Sequence, residues 1–143
     1  MKKDLNTGLE QIARRYGLRE LYAFGSRAKE LIARLRGEMA CVTYPESDVD
    51  IGVGMGPRVA LGPSERVQLA LEIEDLLDAS RVDLVIIEEA DAFLAVEIVR
   101  GELLYTEDLD RQARYELYLL GRAGDLLPFK KERIRMILEE RAR

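Results

Sequence analysis

The sequence predicts an α+β domain, a small sheet flanked by helices, with further helices after it. Three observations carry this. Short apolar runs at Leu18–Phe24, 48–53, 82–87 and 103–105 have strand length and are bounded by glycine or charged residues. Between them lie longer runs whose apolar residues recur three and four positions apart, as on one face of a helix. At 143 residues with 48% apolar content, the chain can bury one core and little more.

Taken in order, Asn6 or Thr7 is placed to cap a first helix that ends near Tyr16, with Gly17 as its stop. A strand follows over Leu18–Phe24. The run 27–36 reads as a helix with Ala28, Leu31, Ile32 and Leu35 on one side, ended by Gly37. The segment 37–46 is an insertion, with a short extended piece expected over 40–44. The second strand is 48–53. Gly52, Gly54 and Gly56 before Pro57 read as a break after it, and their spacing does not fit a dinucleotide fingerprint. Ser64 is expected to cap a helix over 65–79. The third strand is 82–87. A short helix from Ala90 or Asp91 through Val99 stops at Gly101, and 103–105 forms an edge strand. Beyond Tyr105 two helices are expected. The first, over 110–122, has an Ala113, Leu117 and Leu120 stripe. The second, over 128–142, has a Phe129, Ile134, Ile137 and Leu138 seam. The domain division is 1–105 and 106–143. Those last helices either pack on the sheet or form a partner or dimer surface.

Composition excludes several chemistries. There is no histidine, so Ser-His-Asp and Cys-His catalysis and His-ligated zinc are ruled out. Cys41 is alone, cannot form an internal disulfide, and reads as a filler of a small apolar gap. The net charge of −5 argues against non-specific nucleic-acid binding. A local basic cluster remains at Arg27, Lys29, Arg34 and Arg36. No apolar run reaches the roughly 18 residues of a membrane span, and Met1-Lys2-Lys3-Asp4 lacks the apolar stretch of a signal peptide. A cytoplasmic chain is expected.

The chemistry-bearing residues lie around the first strands. Gly25 and Ser26 follow the first strand and precede a helix, where glycine tolerates a tight turn and helix-start amides favour phosphate. Asp48 and Asp50 are two apart on a strand, so both point to one face. Adjacent carboxylates call for a cation, and hard oxygen donors favour magnesium or manganese. Asp83 lies between Val82 and Leu84 in the third strand, with Arg81 nearby.

Together these residues, over roughly 18–105, resemble the DNA polymerase β-like nucleotidyltransferase superfamily, and most of all its minimal nucleotidyltransferase branch. The stretch 90–105 is similar to the tail of such domains. One departure is visible: Lys29-Glu30 stands where those proteins usually carry a glycine, and the connection to the acid pair is longer. The resemblance implies a mixed-sheet palm in which Asp48, Asp50 and Asp83 hold Mg2+ or Mn2+ and serve catalysis. It implies that Gly25, Ser26 and Arg27 meet the phosphates of a nucleoside triphosphate, with ATP as donor. Minimal nucleotidyltransferases are often paired with HEPN-type toxins, so the implied role is an antitoxin that transfers AMP to that partner. The alternatives are a stand-alone enzyme acting on a small molecule such as an aminoglycoside, and an antitoxin that only docks. A homo-oligomer stays open, as do the donor base and the acceptor.

Overall fold

The computed structural model describes residues 4–38, 47–56 and 60–142. Cys41, Pro57 and the extended piece expected over 40–44 lie outside the described residues. The elements run α1 (Leu5–Tyr16), β1 (Leu18–Phe24), a 3-10 turn (Gly25–Arg27), α2 (Ala28–Leu35), β2 (Val49–Met55), α3 (Pro63–Leu77), β3 (Val82–Ile86), a second 3-10 turn (Ile87–Glu89), α4 (Ala92–Val99), β4 (Glu102–Thr106) and α5 (Leu109–Arg141).

The four strands form one mixed sheet in the order β3-β2-β1-β4. β1 is antiparallel to both β2 and β4, and β2 is parallel to β3. Side-chain alternation along β1 splits the core into two. Leu21 and Ala23 join the cluster under α1, α2 and α3, with Leu9, Leu31, Leu69 and Ile73. Tyr22 and Phe24 join the cluster under α4 and α5, with Ala95, Ile98 and Leu119. The sheet is therefore the middle of three layers.

Several local expectations are corrected. Asp4 rather than Asn6 or Thr7 precedes α1; Thr7 Oγ1 donates to Asp4 Oδ2, and the Asn6 amide donates to the Leu35 carbonyl. Gly17 does end α1, at φ 69°. Gly62, not Ser64, is the cap of α3; Pro63 takes the first helical position, where its missing N–H costs nothing. β2 does not break at Gly52 but continues to Met55. A Cβ at Gly52 would stand 2.3 Å from Ile98 Cγ2, and one at Gly54 would stand 2.9 Å from Glu20 Cδ. These glycines are where α4 and the Glu20 side chain press on the strand.

The two helices expected after Tyr105 are one helix of 33 residues. Pro128 sits inside it and has no N–H to donate to the preceding turn, yet the helix continues. Asp108 caps it by accepting from the Arg111 N–H. The buried side is Gln112, Leu119 and Ala123, and it faces chiefly α4, with Leu119 joining the cluster beneath that helix. The stripe Leu117 and Leu120 instead faces outward, as do Leu127, Ile134 and Leu138 at heptad-like spacing. A polar anchor reinforces the packed side: Gln112 Nε2 donates to Tyr22 Oη at 2.6 Å, and the Tyr22 hydroxyl donates to Glu116 Oε1 at 3.0 Å. Burial and Glu116 raise the Tyr22 pKa, so the phenol stays neutral and donates.

Glu20 lies on the same face, only 3% exposed, and its Oε2 has no hydrogen-bond partner among the described residues. Burial pushes its pKa up to about 7 from the ordinary 4.5, against the opposing pull of Arg111. A carboxyl raised in the folded state favours folding when protonated. That contribution is complete below about 4.5 and is lost as pH rises through about 7. We expect urea midpoints of the wild type to fall between pH 5 and 8 by the equivalent of up to about 3 kcal/mol. Glu20→Gln should flatten this dependence, and an unchanged slope in the variant would refute the assignment.

Candidate active site

The site forms where the C-terminal end of β1 meets the N-terminal ends of β2 and β3. The ladder fixes the arrangement: Phe24 pairs with Asp50, and Asp50 pairs with Asp83 across the parallel strands. Paired residues share a face, so Asp50 and Asp83 stand side by side on the face covered by α4. Asp48 lies one residue before β2 begins, a small shift from the expected start of that strand.

Gly25 turns the chain away from β1 at φ 75°, in the left-handed region that favours glycine. A Cβ there would meet Asp50 Oδ2 at 2.3 Å. The turn is thus pressed directly onto the acid row, and its backbone and Ser26 are exposed to anything bound there. The turn passes into α2 through the Ala28 N–H, which donates to the Gly25 carbonyl.

Electrostatics tie the three acids together. Burial first, then the charges of Asp83, Asp48 and Glu97, raise the Asp50 pKa. The row carries negative charge that a cation would relieve. Arg81 supplies part of this, with Nε 3.7 Å from Asp48 Oδ2 and Nη2 3.6 Å from Asp83 Oδ1. Among the described residues, no three acids are gathered into a ready metal-binding cluster. The donors themselves, carboxylate oxygens with surplus charge, fit a hard divalent ion.

Arg27 has a different position from the one expected. It is neither a surface charge nor directed at open solvent. Its guanidinium is 7% exposed, makes two 3.0 Å hydrogen bonds to Glu30, and donates to the Ser47 carbonyl at 3.2 Å. It braces the residue before Asp48 against α2. The rest of the basic cluster is dispersed: Arg34 donates to the Leu77 carbonyl on the other side of the sheet, while Lys29 and Arg36 are exposed.

Glu97 was not anticipated. It is the sole charged residue within Ala92–Val99, a signal legible in the sequence. Ile98 beside it seats α4 on Gly52 and thereby brings Glu97 toward Asp50. Glu97 also opens a groove of about 760 Å³ between α4 and α5, lined by Phe93, Leu94, Leu126, Phe129, Lys130 and Arg133. Lys130 Nζ sits 4.0 Å from the Phe93 ring centre, a cation–π contact across this groove.

A palm-like mixed sheet, a glycine turn against an acid row and a third acid on the neighbouring parallel strand define a nucleotidyltransferase. The family model for polymerase beta nucleotidyltransferases matches residues 8–110, and the chain belongs to that family. No curated protein matches the chain. Among solved structures, a chain of a toxin–antitoxin with AMP-PNP is 20% identical with a TM-score of 0.71, covering 93% of this chain and 98% of that one. A chain from the tri-AMPylated Shewanella oneidensis HEPN toxin in complex with its MNT antitoxin is 19% identical with a TM-score of 0.67, covering 96% and 99%. A chain of the MntA-HepT toxin–antitoxin is 19% identical with a TM-score of 0.66, covering 94% and 97%. At these identities the likeness is one of fold, and it extends over α5.

Two glycines separate the costs at the turn. Gly25 and Gly37 both have positive φ, but among the described residues a Cβ at Gly37 meets nothing within 4 Å. Gly37→Ala should cost only the backbone strain, about 1–2 kcal/mol. Gly25→Ala should cost a further 1 kcal/mol or so by displacing Asp50. Equal urea-unfolding losses for the two variants would mean the turn does not bear on the acid.

Proposed function

We propose that this chain transfers a nucleotidyl group, AMP from ATP, to a cytoplasmic partner protein, as the antitoxin of a HEPN-type pair. The observation that carries the reading is the contact of the Gly25 turn with Asp50, in register with Asp83. That contact supports a phosphate-binding turn directly beside a metal site. The neighbouring AMP-PNP and AMPylated-toxin structures support the donor and the partner.

Asp48, Asp50 and Asp83 would hold magnesium or manganese. Such ions, when bound, lower the pKa of an attacking oxygen and neutralise departing pyrophosphate. The chain's own residues do the placing. Gly25 allows close backbone approach to the triphosphate. Ser26 offers its hydroxyl, and the turn into α2 presents amides to anionic oxygen. Arg27, held by Glu30, steadies the strand entry that carries Asp48. Asp83, partly exposed at the mouth of the two parallel strands, would take the proton of the acceptor hydroxyl. Rigid placement of this kind supplies most of what phosphoryl chemistry requires.

The outward seam of α5 offers the docking surface for the partner. The groove beside Glu97 favours a second reading, in which a small molecule occupies that space as acceptor. A docking-only antitoxin is the third outcome.

Purified protein, Mg2+, labelled ATP and the co-encoded partner should yield a nucleotide adduct on the partner by mass spectrometry. Asp48→Asn with Asp50→Asn should reduce transfer at least about a hundredfold, within the range for groups that act on the transition state, and leave docking intact. Ile134→Glu with Leu138→Glu should do the reverse, since both side chains are exposed and outside the core. No adduct, with docking that still neutralises the partner, would replace transfer with docking alone. An adduct only on an added aminoglycoside would favour the small-molecule reading.

A further inference from the structure

We infer that Arg81 is a resident cation of the acid site, one that neutralises Asp48 and Asp83 until a divalent ion displaces it. The inference rests on the metal-site reading above and assigns a competitor to it. Arg81 sits one residue before β3, as Asp48 sits one residue before β2. The Val49 N–H donates to the Arg81 carbonyl at 2.9 Å, so the backbone of Arg81 is fixed at the mouth of the two strands. From there the guanidinium reaches both carboxylates, at 3.7 and 3.6 Å. Among the described residues no other ion pair reaches any of the three acids.

The quality of the contact fits displacement. Both distances exceed hydrogen-bond length, so charge rather than a directed fork holds the group. The Arg81 side chain is 70% exposed, and those of Asp48 and Asp83 are 39% and 46% exposed. Ion pairs of that exposure are weak and exchange readily with solvent. Arg27 gives the contrast within the same site: buried, doubly bonded to Glu30, and unable to leave without stranding a charge. A strong clamp would shut the site against metal. A weak one keeps the repelling acids together and would yield to a divalent ion, whose double charge the carboxylates would attract more strongly.

The test is direct Mn2+ binding to the full chain without nucleotide, by calorimetry and by the loss of the free-ion electron paramagnetic resonance signal. Arg81→Gln should bind Mn2+ about two- to fivefold more tightly than the wild type, the range set by an exposed ion pair. Arg81→Lys keeps the charge and should bind Mn2+ with the affinity of the wild type. Arg14→Gln, an exposed change on α1 paired with Glu10, controls for the lost net charge and should leave the affinity unchanged. Circular dichroism checks that the exposed Arg81 variants remain folded. Equal or weaker Mn2+ binding by Arg81→Gln would overturn the inference, as would Arg81→Lys binding as tightly as Arg81→Gln. If wild-type binding is absent, or persists in Asp50→Asn, the metal-site reading itself fails and the inference falls with it.

Discussion

The register that places Phe24 opposite Asp50, and Asp50 opposite Asp83, is the constraint on which the site depends. A slip of one residue in β2 would turn Asp50 into the core under α1 and α3 and bring Ile51 out. The apolar alternation along β1 and β2 forbids that slip, because Leu21, Ala23, Val49, Ile51 and Val53 fill one face. The hydrophobic core thus fixes the acid row through the two-residue period of the strand. The Gly25 turn follows from the same register. β1 ends beside Asp50, and only a residue without a side chain can leave the strand there.

The price of the row is electrostatic. Asp50 is half-buried next to Asp83, Asp48 and Glu97, and its raised pKa records how poorly the fold accommodates the charge. The fold spends contacts around the row rather than in it. Arg27 and Glu30 neutralise each other in the buried brace behind Asp48, and Arg81 touches only the outer two acids. Asp50 is left with three negative neighbours and no cation of its own among the described residues. A structural ion-pair network would have closed that imbalance.

The strands were legible because their burial pattern is simple. β1 matches its expected bounds at both ends, and Asp50 and Asp83 pair across the parallel strands. What was not legible depends on contacts from distant sequence. Gly52 and Gly54 look like breakers in isolation, and only the approach of Ile98 and Glu20 explains them as strand residues. Arg27 looks like a phosphate ligand until Glu30 and the Ser47 carbonyl claim it. Pro128 looks like a boundary, since a proline interior to a helix costs a hydrogen bond. For α5 both faces carry apolar residues, so periodicity alone could not say which one the sheet takes. The Tyr22 hydroxyl decides it by binding Gln112 and Glu116.

That choice links the outer surface to the site. Gln112, Leu119 and Ala123 commit one face of α5 inward, chiefly against α4, so the seam of Leu117, Leu120, Leu127, Ile134 and Leu138 points away. α4 lies between α5 and the acid row, gripping Gly52 through Ile98 and presenting Glu97 to Asp50. The Lys130–Phe93 contact joins the distal part of α5 to the start of α4. The outer seam and the acid row are thus joined through α4, which packs against α5 and carries Glu97, one of the charges that act on Asp50. Gly52 is what lets α4 sit so close to β2, because a Cβ there would meet Ile98 Cγ2 at 2.3 Å, and a close-packed contact of that kind leaves no room for any larger residue on the strand.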